Sequence, residues 1–429
     1  MIIARLETSS GQALDTFRNE DETVTNFDQH YDRSHSNAEK WDTSAMQEHF
    51  GRDDLLPFWV ADMEFQAPPT VREALVKRAE NGIYGYEYRP ESFFNAITQW
   101  YTNHHRWKID ESELCISHSV MSAISVLINQ HTDKGDGIIV QPPVFFEFRL
   151  AILENKRKLV RNPLKKTTHG YEIDFVDLEK QAAKPRTKML ILCSPHNPVG
   201  RVWTKEELQR IGEICYKHNV RVIADEIHAD IIYKGYQHTP YAMAVSEEIA
   251  QQSFTCISPA KTFNIASVTE SIVVIPDENY RAQFKHFSSK YALGKVNAFS
   301  VIAMETAYRT GEQWLAECLD YLQSNLDFLR DYLQQHIPNV KLVEPEGTFL
   351  VWLDFTGLNM DAKELESFLA KKAGVALNSG YWFGRQGAGY ARMTIACPRS
   401  MLKQGLSQVA QAIHSLPDTA TSSKGDIDS

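Results

Sequence analysis

The segment Thr255-Cys-Ile-Ser-Pro-Ala-Lys-Thr-Phe-Asn264 is the stretch on which the reading of this chain turns. The apolar run Ser253 to Ile257 reads as a strand, and the small residues after it deliver Lys261 into a turn. A lysine beside a strand end in apolar surroundings is costly unless it is neutralised or used covalently. Two upstream segments repeat the pattern. Ser194-Pro-His-Asn-Pro-Val-Gly200 follows the apolar run Met189 to Cys193, and Asp225-Glu-Ile-His228 follows Val220 to Ala224. Each residue has a plain reading when taken singly. Asn197-Pro198 is a common turn, Asp225 could cap a helix, His228 could be a satisfied core histidine, and most lysines in such settings are solvated. An amide, a carboxylate and a lysine at three successive strand ends fit one chemistry better than these separate roles.

That chemistry is the chemistry of pyridoxal phosphate (PLP). Lys261 would hold the aldehyde as a Schiff base and then, as a free amine, move the α-proton of an amino acid. Asp225 would keep the pyridine nitrogen protonated, through an ion pair that is strong in a dry site. Asn197 would donate to the phenolic oxygen beside the aldehyde. His228 would hydrogen-bond near the same edge or from behind it.

Longer motifs carry a resemblance. They are Lys40-Trp-Asp42, Leu56-Pro-Phe-Trp-Val-Ala-Asp-Met63, Tyr84-Gly-Tyr86, Leu192-Cys-Ser-Pro-His-Asn-Pro-Val-Gly-Arg-Val-Trp203, Asp225-Glu-Ile-His-Ala-Asp230, Lys261-Thr-Phe-Asn264 and Arg392-Met-Thr-Ile-Ala-Cys-Pro-Arg399. From about Phe27 to Leu416 the chain resembles the PLP-dependent enzymes of fold type I. Among their class I/II aminotransferase relatives it is most similar to the cystathionine β-lyase (PatB/MalY-like) branch. The resemblance implies an α/β fold with a large domain built on a mostly parallel, seven-stranded type of sheet and a smaller α+β domain. It implies that Arg392 clamps the substrate α-carboxylate, which a planar guanidinium suits, though a surface or interface salt bridge is the bland alternative. Trp59, Ala61 and Asp62 would stand beside the substrate. Phe145 would stack on the cofactor ring where the family often has tyrosine, keeping the face and losing the hydroxyl. Tyr86 would reach the phosphate of a neighbouring subunit, making the active unit a homodimer; otherwise it packs a loop with Tyr84 and Tyr88.

Departures from the family pattern fall near the phosphate. Ser119 stands where a glycine usually opens the phosphate-binding helix. The backbone N–H groups of Val120 and Met121 can still bind phosphate there, and Ser119 can cap the helix as well. Ala260 and Ser267 replace a usual serine and glycine, while Ser258 keeps a hydroxyl in place for phosphate.

The function implied is a carbon–sulfur β-lyase that splits cystathionine or cysteine S-conjugates into a thiol, pyruvate and ammonia. An aminotransferase needs the same residues and differs in where the proton returns. A non-catalytic binding protein needs none of Lys261, Asp225, Asn197 and Arg392 together. Fold alone does not decide among these readings.

Composition agrees with such an enzyme. The 429 residues are 43% hydrophobic, enough for two domains around a large core. The formal net charge of −10 argues against nucleic acid or an anionic membrane as the main partner. No stretch approaches a transmembrane length, and the apolar start Met1 to Leu6 is too short for a signal peptide, so a cytoplasmic protein is expected. The cysteines at 115, 193, 215, 256, 318 and 397 lack metal-site spacing and suit buried free thiols; no metal site is expected. Residues 1–26 read as a flexible extension and 27–60 as a segment packing with the small domain. The large PLP-binding domain is expected over 61–295, the small C-terminal domain over 296–416, and a disordered polar tail over 417–429. Thr70 to Gly82 reads as a helix started by Thr70, Thr204 to His218 as a helix between two strands, and Val296 to Gln335 as a long helical region. Gly380 to Gly389 is glycine-rich without a strand-to-helix context, and suits an active-site loop or an ordinary surface loop.

Overall fold

The apolar runs become strands because both of their faces are covered. In the computed structural model, which describes residues 25–168 and 170–417, seven strands form the central sheet. They are β1 (Leu114–Ser117), β2 (Gly137–Val140), β3 (Lys158–Arg161), β4 (Thr187–Cys193), β5 (Arg221–Asp225), β6 (Ser253–Ile257) and β7 (Ser271–Val274). Their order is β1-β7-β6-β5-β4-β2-β3. Every neighbouring pair from β6 to β3 is parallel, and β7 is antiparallel to both of its neighbours. Buried parallel strands read as continuous apolar runs. The edge strand β3 is instead exposed at Lys158 and Arg161, and charge at an edge discourages further pairing.

Helices α1 (Pro69–Glu80), α2 (Val120–His131), α3 (Glu147–Glu154) and α4 (Lys205–Lys217) come from the same part of the chain. Side chains alternate between the two faces of the sheet. Ile138, Met189, Ile191 and Ile223 pack with Ala123, Ile124 and Leu127 of α2. Ile139, Leu190, Leu192 and Val222 pack with Leu208, Ile211 and Cys215 of α4. Thr204 caps α4 as expected, in a reciprocal capping box with Glu207. The expected helix from Thr70 instead begins at Pro69, because proline is favoured in the first turn, and the Thr70 hydroxyl bonds Thr310.

The long helical region is two helices, α5 (Ala298–Thr310) and α6 (Glu312–His336). They part at Gly311, where a Cβ would collide with the Phe263 ring and the Ala307 carbonyl. Beyond them β8 (Lys341–Val343), β9 (Leu350–Asp354), β10 (Asn378–Ser379) and β11 (Tyr390–Thr394) form an antiparallel sheet in the order β8-β9-β11-β10. Leu56–Pro57 pairs in parallel with Val375–Ala376, which ties the early chain to the late one. All six cysteines are buried and unpaired. Among the described residues no helix is long and apolar enough to cross a membrane. Residues 1–24 and 418–429, most of the expected extension and nearly all of the expected tail, lie outside the described residues.

Candidate active site

Strands β4, β5 and β6 end side by side, at Cys193, Asp225 and Ile257. The carboxyl ends of parallel strands are where such sheets place ligands. The turns beyond them carry Asn197, His228, Ser258 and Lys261 into one cavity of about 240 Å³. Ala61, Ser119, Val120, Met121 and Phe145 line the same space. Gly200 closes the Asn197 turn at φ +75°, with Pro345 so near that a Cβ would fall 2.6 Å from it. His196 anchors that turn: its Nε2 is 2.9 Å from the Pro143 carbonyl and its ring meets Trp203 edge-on.

Part of the charge at this cavity is uncompensated. The Asp225 carboxylate accepts the Ile227 N–H at 3.2 Å, and no cationic side chain pairs with it among the described residues. Burial pushes it up to about 7, against the Ile227 bond and the pull of Lys261. Lys261 donates to the Ala61 carbonyl at 2.7 Å. Burial lowers its pKa while Asp62 opposes the fall, and that favours the neutral amine. His228 is pushed down to about 3 by burial, with Lys261 and Arg392 adding to it, and its Nδ1 has no hydrogen-bond partner among the described residues.

Arg392 is 2% exposed, and among the described residues its hydrogen bonds go to neutral oxygens alone. Its Nη1 donates to Asn197 Oδ1 at 3.1 Å, and its Nη2 to the Trp59 carbonyl at 2.8 Å and Asn378 Oδ1 at 2.6 Å. Nε has no partner. Burial brings this guanidinium down to about 9. A buried cation held by neutral acceptors strongly favours an incoming anion.

The start of α2 supplies free donors. Ser119 Oγ takes the Ser122 N–H at 3.1 Å, and the Ala123 N–H goes to the Ser119 carbonyl at 3.0 Å. The amides of Val120 and Met121 are left at the cavity wall without a partner among the described residues. The Ser258 hydroxyl differs from the expectation. Its proton goes to the Glu270 carbonyl at 2.9 Å, so in this arrangement it offers the cavity only an acceptor.

The Trp-Val-Ala-Asp-Met motif works mainly through its backbone. The Trp59 carbonyl holds Arg392, the Ala61 carbonyl holds Lys261, and the Met63 N–H binds Asn264 Oδ1 at 3.0 Å. Asn264 returns its amide to the Met63 and Phe65 carbonyls, at 3.0 and 2.8 Å. Asp62 corrects the expectation of a substrate contact. Its carboxylate pairs with Arg33 at 2.7 Å and with the fully buried Lys40 at 2.5 Å, and Asp62 is not among the residues that line the cavity. Lys40 also holds Glu64 at 2.8 Å, so two cations and two carboxylates close on one another. Trp59 likewise offers its carbonyl, because its indole N–H is bound to the Lys40 carbonyl at 3.0 Å. Tyr86 is fully exposed and lies on another groove, between α1 and α5, rather than in this subunit's cavity. The Gly380–Gly389 loop forms two short 3₁₀ turns, and its Phe383 ring lies 5.0 Å from the Arg392 guanidinium.

Sequence reasoning missed Glu147, His118, Cys193, Thr269 and Glu270, which also line the cavity. Arg89 was missed too; it grips Glu270 through Nε and Nη2, at 2.9 Å each. Glu147 carried a usable signal, an acid two residues after Phe145 at a helix start. Arg89 and Glu270 carried none, because they meet only through the fold.

These residues fit the expected cofactor. A buried acid without a cation suits a pyridinium nitrogen, a depressed amine suits an aldehyde, free helix-start amides suit a phosphate, and Phe145 gives an apolar wall. Comparisons with known proteins agree. Residues 54–409 match the model of the family Aminotransferase class I and II. Cystathionine beta-lyase PatB of Bacillus subtilis is 39% identical over 388 residues, covering 90% of this chain and 100% of that protein. A PLP-bound, provisionally named aminotransferase of Clostridium difficile superimposes with a TM-score of 0.88 at 44% identity, over 91% of this chain and 100% of its own. A PLP-bound C-S lyase of Staphylococcus hominis gives 0.84 at 32%, over 90% of this chain and 97% of its own. The expected resemblance thus holds: the chain belongs to the aminotransferase class I and II family, in the neighbourhood of its carbon–sulfur lyases.

Proposed function

We propose that this protein is a PLP-dependent carbon–sulfur β-lyase, cleaving cystathionine or another cysteine S-conjugate to a thiol, pyruvate and ammonia. The observation that carries the chemistry is the set of unmatched buried groups around one cavity. Among the described residues Asp225 has no paired cation and Arg392 no paired anion, and Lys261 has a lowered pKa. The choice of lyase is supported by the likeness to PatB and to the C-S lyase.

When bound, PLP would supply an electron sink for the charge that builds on the substrate's α-carbon. Asp225 would hold the ring nitrogen's proton, the Val120 and Met121 N–H groups would bind the phosphate, and Phe145 would cover the ring. Asn197 would serve two partners, donating from its amide nitrogen toward the cofactor while its oxygen accepts from Arg392. Arg392 binds the α-carboxylate and so orients the α-hydrogen toward Lys261. The Lys261 amine removes that proton, leaving its electron pair to expel the thiolate from the β-carbon. The C–S bond breaks with both electrons on sulfur, and the three-carbon enamine released takes up water to give pyruvate and ammonia. Lys261, now an ammonium, can protonate the thiolate or the enamine.

A homodimer is part of the same reading. Tyr86 is fully exposed beside Tyr84 and Tyr88, which are also exposed, and in a dimer it would reach the phosphate of the neighbouring subunit. Six buried, unpaired cysteines suit a reducing compartment such as the cytoplasm. A second reading, aminotransferase, is favoured by the name given to the Clostridium difficile protein. Incubating the PLP-loaded protein with L-cystathionine alone, and with L-alanine plus a 2-keto acid, separates the two. Thiol and pyruvate from the first reaction are expected. Amino-group transfer in the second, with no thiol in the first, would replace the lyase reading.

A further inference from the structure

Three acidic side chains line the cavity, and the mechanism uses only one of them. Asp225 faces the ring nitrogen in that mechanism, and Glu270 is neutralised by the Arg89 fork. Glu147, the first residue of α3, is half-buried, and among the described residues no ion pair or hydrogen bond engages its side chain. Burial raises its carboxyl, Lys261 and Arg392 draw it back, and Glu39 pushes it up again. The charges that act on it are thus those of Lys261 and Arg392 and of the exposed Glu39 of the N-terminal segment.

The substrate has three polar parts. Its α-amino group is taken up by the cofactor and its α-carboxylate by Arg392, which leaves the arm carried on sulfur. A partly desolvated carboxylate without a partner attracts a cation and repels an anion. We infer that Glu147 is a specificity-determining residue that selects thioethers whose sulfur arm bears an uncompensated ammonium group over neutral or anionic arms. This rests on the lyase reading, and its test keeps the two apart.

The test measures kcat/KM of the PLP-loaded protein for S-(2-aminoethyl)-L-cysteine and S-propyl-L-cysteine, whose arms match in length and differ in charge. In the parent protein the ratio should favour the aminoethyl arm at least about tenfold, the range of a charge-assisted hydrogen bond. It should fall toward one in Glu147→Gln and survive in part in Glu147→Asp. The ratio is taken within each protein, so a loss of folded or loaded enzyme cancels. A parent ratio near one, or a ratio that Glu147→Gln leaves unchanged, overturns the assignment while the lyase reading stands. Absence of thiol from both substrates in the parent overturns the lyase reading and this inference with it.

Discussion

Asp225→Asn should stabilise the PLP-free protein and cripple the loaded one. In the folded chain burial raises Asp225 from 3.8 to about 7, so the native state binds its proton more tightly than the unfolded chain does. The group therefore costs nothing below about pH 4, and its cost grows as pH rises and levels off above about 7. At about 1.4 kcal/mol per pH unit, that gap caps the cost at about 4 kcal/mol at pH 8, falling below about 2 kcal/mol at pH 5. Asparagine keeps the acceptor for the Ile227 N–H and never ionises, so it removes the cost. Urea denaturation of the PLP-free parent and variant at both pH values measures the difference. The variant should be the more stable, and more so at pH 8. The PLP-loaded variant should lose at least about tenfold in kcat, because asparagine no longer holds the ring nitrogen's proton through an ion pair. Equal stability at pH 8 together with full activity would refute both the buried-acid argument and the role assigned to Asp225.

Further substitutions probe the rest of the site. Arg392→Lys should lower kcat/KM for two thioethers of different size alike, by part of the roughly 2–5 kcal/mol that a bidentate buried contact carries, and a loss confined to one substrate would move Arg392 to the specificity pocket. Lys40→Met leaves Asp62 and Glu64 with Arg33 alone, so urea denaturation should show a loss of about 3–5 kcal/mol; unchanged stability would mean that the four-charge cluster is not held together through Lys40. Tyr86→Phe should weaken PLP binding several-fold by equilibrium titration while sedimentation still shows a dimer, and unchanged affinity would remove Tyr86 from the partner's phosphate.

The inner strands were legible because burial on both faces leaves unbroken apolar runs, and β4, β5 and β6 fall within two residues of those runs. The chemistry at their ends was legible for a related reason: an amide, an acid and a lysine have little reason to follow such runs together. Asp62 was not legible. Its sequence position beside Ala61 says nothing of Lys40 and Arg33, which arrive through tertiary packing and engage its carboxylate in ion pairs. The break at Gly311 was hidden because it depends on the Phe263 ring, part of the Lys261 turn. Arg392 could be read as a carboxylate clamp, but its neutral setting between Asn197, Asn378 and the Trp59 carbonyl emerges only when β10 and β11 meet the Asn197 turn.

The central claim is that Lys261 carries the cofactor. Borohydride reduction of the PLP-loaded protein, followed by proteolysis and mass spectrometry of the peptides, tests it directly. The account predicts a reduced pyridoxyl group on the peptide that contains Lys261, and none on that peptide in Lys261→Ala. A pyridoxyl group fixed to a different lysine, with the Lys261 peptide unmodified, would contradict it.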